Sequence, residues 1–304
     1  MWDKLQIFGF QALWNPLTLV ITILLGVLYY LFTGPFKEKA GLKESPSGKQ
    51  QVFLYSALAL FYLIKGAPLY IMSHIFLSVH MLQMVIFYFI IPMLVIKGIP
   101  EQWWRKVFGA RVIGPLINFM TKPLVAIVIF HAMFSFYHLP TVLDFSKTNN
   151  FVHWSITLAI FVGAFCFWWP LMTPFKERVL IKPLYKIFYI FGSGLLITPS
   201  CALIIFADSP LYATYSEPDA FMQALALCVP LDVLQGLNLG GPQLFMNMNL
   251  VHDQQAAGIL MKVSQEFIYG GVLAALFYNW YNSENRRGID PLPSTQQSIT
   301  PERG

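Results

Sequence analysis

Histidine and methionine carry most of the chemistry this sequence can offer. His80 and Met84 stand four residues apart in SHIFLSVHMLQMVIFYFIIPMLV (residues 73–95), which puts both on one face of a helix. His131 and His138 are seven apart and share a face in the same way. His153 and His252 each open an apolar run, and Asp253 follows His252 directly. Imidazole is the commonest side-chain metal ligand, and thioethers and thiolates select Cu(I). His80, Met84, His138, His153, His252 and Asp253 are therefore the candidate metal ligands, with copper, as Cu(I), the expected ion. The same residue types also have a packing role. A lone histidine inside a membrane bundle can be a satisfied hydrogen-bonder, and methionine is a common gap filler. For His74 and His131 packing is the favoured reading.

Such ligands need elements to hold them, and composition says which kind. The chain has 304 residues, of which 56% are hydrophobic and 12% charged. Soluble domains are nearer half apolar and a quarter charged. The mean hydropathy of +0.58 points to an all-α membrane protein. A span needs roughly 20 apolar residues, and seven runs qualify, at about 12–33, 51–72, 75–97, 122–142, 150–172, 185–207 and 255–281. They form one polytopic domain, residues 1–281, with no internal repeat. Residues 282–304 are polar and Pro-rich and are expected to be a disordered tail. No cleavable signal is evident at the start. The stretch AFMQALALCVPLDVLQGLNLGG (220–241) is interrupted by Pro230 and Asp232. It reads as a surface helix or re-entrant hairpin rather than an eighth span.

Basic residues orient the bundle. Lys37, Lys39, Lys43 and Lys49 lie between spans 1 and 2, and Lys97, Arg105, Lys106, Arg111 and Lys122 between or bordering spans 3 and 4. Lys176, Arg178, Lys182 and Lys186 follow between spans 5 and 6, and Arg286, Arg287 and Arg303 lie in the tail. Four, five, four and three make sixteen of the twenty Lys and Arg residues. The positive-inside rule then predicts seven transmembrane helices with the N-terminus outside and the C-terminus cytoplasmic. The net charge of +5 reflects that bias and carries no nucleic-acid signal. In this orientation all six histidines fall in the outer half or middle of the bundle. Met81, Met246, Met248 and Met261 lie on that side too.

Other polar residues have plainer readings. Lys262 and Glu266 are four apart and can neutralise each other. Lys65 lies near the outer end of span 2 and can snorkel to the interface. Trp168 and Trp169 read as an interfacial aromatic belt at the inner side. Cys166, Cys201 and Cys228 have no CxxC spacing and favour structural roles. The sequence has no GxSxG, HExxH, P-loop, GxGxxG or CxxCH, so no enzyme activity is expected. Two other functions fit the same residues. A copper transporter would need polar residues continuing to the cytoplasmic side. A haem-binding membrane oxidoreductase would use a pair of the histidines as axial ligands.

Several stretches together resemble one family. VHMLQMV in span 3, YHLP closing span 4, FVHW opening span 5, FWWP closing it and DQQAAGILMK opening span 7 are similar to the multi-span CtaG family, as is the opening LQIFGFQALWNPLTL. That family comprises assembly factors for caa-type haem–copper cytochrome c oxidases. The resemblance covers nearly the whole chain. It implies a multi-pass protein of the bacterial cytoplasmic membrane whose client is an oxidase subunit, with a role in delivering or holding copper for the oxidase copper centre. Two positions depart from the family pattern. Span 3 usually reads His-Met-x-Gln-His, and here Met84 stands at the last place. Span 5 often has a second histidine soon after the first, and none follows His153 there. The Asp-Gln pair is matched by Asp253 and Gln254.

Overall fold

The computed structural model describes residues 2–175, 181–237, 240–245 and 248–288, and the regular elements among them are all helical. After short turns at Trp2–Leu5 and Gly9–Trp14, helix α1 covers Pro16–Thr33. Asn15 starts it: its side chain accepts from Thr18 N at 3.1 Å, and Pro16 pre-sets the first helical φ. Helix α2 (Gly48–Lys65) opens on a reciprocal Ser47–Gln50 capping box. It bends by 49° into α3 (Pro68–Ile75). The long α4 covers Leu77–Gly98, and α5 covers Glu101–Gly109. Helices α6 (Ile113–Met120) and α7 (Pro123–Tyr137) meet at 83°. A short α8 (Pro140–Ser146) precedes α9 (Asn150–Met172) and α10 (Pro183–Ile205). Two further short helices, α11 (Pro218–Leu225) and α12 (Leu231–Gln235), lead to α13 (Leu250–Gly288).

Helix α4 is the axis of the bundle, with α2, α9 and α13 packed around it. Five helices are long and apolar enough to cross a membrane, and up to seven spans result if each bent pair counts as one. The expected span at 51–72 is thus a broken one, and that at 122–142 ends early at Tyr137. Helix α13 continues past 281 to Gly288, so the expected disordered tail begins inside a helix, and residues 289–304 lie outside the described residues. The stretch 220–241 makes α11 and α12. Their apolar faces, with Phe221, Leu225 and Leu234, pack onto Leu5, Phe8 and Ile75 as a second small core.

Proline organises the main core. Pro68, Pro92 and Pro100 have no N–H, so Ile64, Tyr88 and Ile96 each lose their usual donor four residues on. A buried side chain takes each carbonyl: Gln83 Nε2 donates to Ile64 O at 2.5 Å, Trp168 Nε1 to Tyr88 O at 3.1 Å and Trp104 Nε1 to Ile96 O at 3.2 Å. Around Pro92 the chain also relaxes into a π-helical turn, Ile86–Ile90.

This overturns the belt expected at Trp168 and Trp169. Both are buried, and Trp169 stacks on Phe108 at 4.3 Å between ring centres. The reason is the supply of free carbonyls and aromatic partners inside the bundle. Lys65 differs from expectation as well. The α2–α3 bend aims it inward, where its Nζ lies 5.2–5.3 Å from the ring centres of Tyr70, Phe87 and Trp154.

Candidate functional site: a closed polar chamber

At the end of the bundle where α4 begins, several chain breaks converge. Phe76 is extended (φ −115°, ψ 126°) and separates α3 from α4, which exposes a fresh helix N-terminus with a phenylalanine at its cap position. A phenylalanine cannot cap. Asp253, from the first turn of α13, does so across the bundle. One carboxylate oxygen accepts from Leu77 N at 2.7 Å and from Ser78 N at 3.4 Å, while the other accepts from Ser78 Oγ at 2.5 Å. The next two residues clamp the α10–α11 loop. Gln254 Oε1 accepts from Leu211 N at 2.8 Å, and Gln255 Nε2 donates to Ala207 O at 3.3 Å. The DQQ triplet therefore fixes both the start of α4 and the segment that covers it.

That segment closes the chamber. Asp144 accepts from Ala213 N and Thr214 N, both at 3.0 Å. Tyr212 Oη donates to His138 O, and Tyr215 Oη to Ser73 O, each at 2.8 Å.

Beneath it lie four buried imidazoles, those of His74, His80, His138 and His153. His74 Nδ1 donates to Tyr70 O at 2.9 Å and His138 Nδ1 to Phe134 O at 2.7 Å. A carbonyl only accepts, so the proton is on Nδ1 and the lone pair is on Nε2. Neither Nε2 has a partner. His80 has no hydrogen bond at either nitrogen. His153 lies beside the Ser146 backbone, yet neither of its nitrogens makes a bond of normal geometry. The His74 and His153 ring centres are 5.9 Å apart, and the His80 ring is 6.1 Å from each of Tyr137 and Tyr215.

Lys147, just past α8, turns into the same space. It is 2% exposed, and its Nζ has no partner. Burial lowers its pKa from the usual lysine value to about 8, with Cys228 partly opposing the shift. It lies within electrostatic range of His74, His80 and His153.

The chamber gathers three of the candidate ligands, His80, His138 and His153. Met84 is buried one turn below His80 in the apolar core. Asp253 is at the rim, with both carboxylate oxygens occupied by the helix cap. His252 is exposed on the surface. Met246 lies outside the described residues. His131 is set apart: its Nδ1 donates to Ile127 O at 2.8 Å and its Nε2 is 2.7 Å from Ser193 Oγ, which also contacts Tyr269 Oη. Both of its nitrogens are used within the fold. Sequence reasoning passed over His74, Lys147 and the inward course of Lys65. A signal for the lysines existed, since Lys65 and Lys147 are two of the four basic residues away from the basic side of the topology.

Cu(I) is the ion to test against this donor set. The fixed Nδ1–H tautomers of His74 and His138 leave a basic Nε2, the arrangement usual in histidine metal ligands. With metal–nitrogen bonds of about 2 Å, two imidazoles sharing one ion have ring centres roughly 6 Å apart, and His74 and His153 have that separation. Among the described residues, no three His, Cys, Asp or Glu side chains are close enough together to hold an ion. At most two of these side chains can therefore reach one ion.

The model of the cytochrome c oxidase caa3 assembly factor family (Caa3_CtaG) matches residues 27–283. No curated protein and no solved structure matches the chain. The family match includes every residue of the chamber, its DQQ clamp and the bundle that positions them, and by it this chain belongs to the cytochrome c oxidase caa3 assembly factors.

Proposed function

We propose that this protein is a non-enzymatic assembly factor that crosses the cytoplasmic membrane seven times, with its N-terminus outside. It holds Cu(I) in the chamber for transfer to the copper centre of a caa3-type oxidase. One observation carries this reading: four imidazoles are buried at one end of the bundle with six of their eight ring nitrogens lacking a partner. His80, His138 and His153 are the proposed ligands, joined by His74, two of them holding the ion at a time because no three lie close enough to share it among the described residues, with the Met84 thioether available one turn below. Asp253 acts by holding the start of α4, and thus His80, in place. When bound, copper supplies only its own transfer, and the protein's part is to keep the imidazoles neutral, oriented and dry. Transport through the membrane is the weaker reading. The polar groups farther along α13, Lys262 and Glu266, are paired with each other at 2.6 Å.

The test is copper content of the purified protein against that of the His80→Ala, His138→Ala double variant, with assembled oxidase measured in the same membranes. Copper in the wild type and none in the variant, with loss of mature oxidase, supports the proposal. Equal copper in both refutes the site. A Soret band in the wild type would instead favour haem.

A further inference from the structure

The chamber holds a second unsolved problem, and it is one of charge. Lys147 Nζ is buried with no hydrogen bond or ion pair. Lys65, 3% exposed, meets only the faces of aromatic rings. Both lie within electrostatic range of His74 and His153. The nearby carboxylates are committed elsewhere, Asp253 to the start of α4 and Asp144 to the N–H groups of Ala213 and Thr214. Asp208, Glu217, Asp219 and Asp232 are exposed. An ammonium taken out of water without a counter-ion costs several kcal/mol, and Lys147 is placed where it would meet that cost.

We infer that the chamber binds a small monovalent anion of halide size, held by Lys147 Nζ and by the one unpartnered N–H that each of the neutral His80 and His153 rings carries. The geometry sets the class. Lys147 Nζ is a donor only, and the neutral His80 and His153 rings each have one N–H that can turn to an anion without breaking a bond of the fold. Lys147 and the four imidazoles are each at most 2% exposed, which favours the smallest anions over an organic acid. The inference does not depend on copper. If copper does bind, the anion offsets the lysine charge, so each should strengthen the other.

The probe is bromide. The metal-free full-length protein is purified in sodium gluconate, and its thermal stability is followed as bromide replaces gluconate at constant ionic strength, with sulfate as a control for general salt effects. In parallel, crystals grown in bromide are examined for anomalous scattering. The expected result is a saturable rise in Tm of a few degrees with bromide, absent with sulfate, and a bromide peak within hydrogen-bond distance of Lys147 Nζ. Lys147→Met keeps the length and loses the charge, so it should abolish the rise, while Lys147→Arg should keep it. An unchanged bromide response in Lys147→Met, or no response and no peak in the wild type, overturns the inference. If Lys147→Met fails to fold, the wild-type anomalous map decides alone. Failure of the copper experiment leaves this result untouched, because no metal is present in it.

Discussion

The two halves of the bundle treat buried polar groups in opposite ways. In the aromatic half, around Pro92 and Trp168, donors are met by acceptors: Trp168 by Tyr88 O, Trp104 by Ile96 O, and Tyr189 Oη by Phe167 O at 2.9 Å. His131 belongs to this half and uses both nitrogens. At the other end, under Tyr212 and Tyr215, the imidazoles and Lys147 have unmet nitrogens. Folded proteins leave few buried polar atoms unpaired. A cluster of such atoms at one end, beside a region where Gln265 Nε2 is the one unmatched buried side-chain donor among the described residues, marks the place where something other than the protein completes the bonding. His131 and His138, seven residues apart in the sequence, make the contrast within the last two turns of α7 and its cap. One is finished by the fold and the other is left half-bonded.

Breaking the clamp should have the largest effect. Asp253→Ala leaves Leu77 N and Ser78 without an acceptor at a buried helix start. Each unmet group costs about 1–3 kcal/mol, so thermal unfolding should shift down sharply and His80 should lose its position. Asp253→Asn retains an acceptor oxygen and should lose less. A thermal melt of each variant checks the order, and equal stability of Asp253→Ala and the wild type would remove the capping role. Trp168→Phe comes next. It strands Tyr88 O and should cost about 1–3 kcal/mol without altering copper retention, since Trp168 is in the satisfied half. Smallest in stability is Met84→Leu, a volume-conserving swap expected to cost under about 1.5 kcal/mol. If Met84 is a ligand, Cu(I) competition with a chelator should nonetheless weaken, and Met84→His should restore binding and broaden it towards divalent ions. Unchanged Cu(I) affinity in Met84→Leu would make Met84 plain core.

Much of this architecture is written in the sequence in forms that local reasoning can use. Apolar runs of span length mark the long helices α1, α4, α9, α10 and α13, because hydropathy depends on composition alone. Pro68 and Pro123 begin helices where the sequence reading ran a span through or started one nearby, and the bends of 49° and 83° follow from packing that no window of residues contains. His80, His138 and His153 were legible as a group once topology put them on one side. Lys147 was not. A lysine in a polar loop reads as solvated, and only the tertiary course of α8 turns it inward. Trp168 and Trp169 fail for the converse reason. Their position near a span end suggests an interface, but the carbonyl freed by Pro92 lies within the bundle. Asp253 was legible as important and not as a cap, since the helix it caps begins 176 residues earlier.

The central claim is that unmet imidazoles, and not histidines as such, make the site. It is tested most directly by Cu(I) competition with a chelator on two purified variants, His138→Gln and His131→Gln, each checked for folding by its melting curve. The account predicts that His138→Gln loses Cu(I) at least tenfold more readily than the wild type, while His131→Gln, whose amide can still reach Ser193, binds as the wild type does. Equal Cu(I) affinity in all three proteins, or a loss confined to His131→Gln, would contradict it.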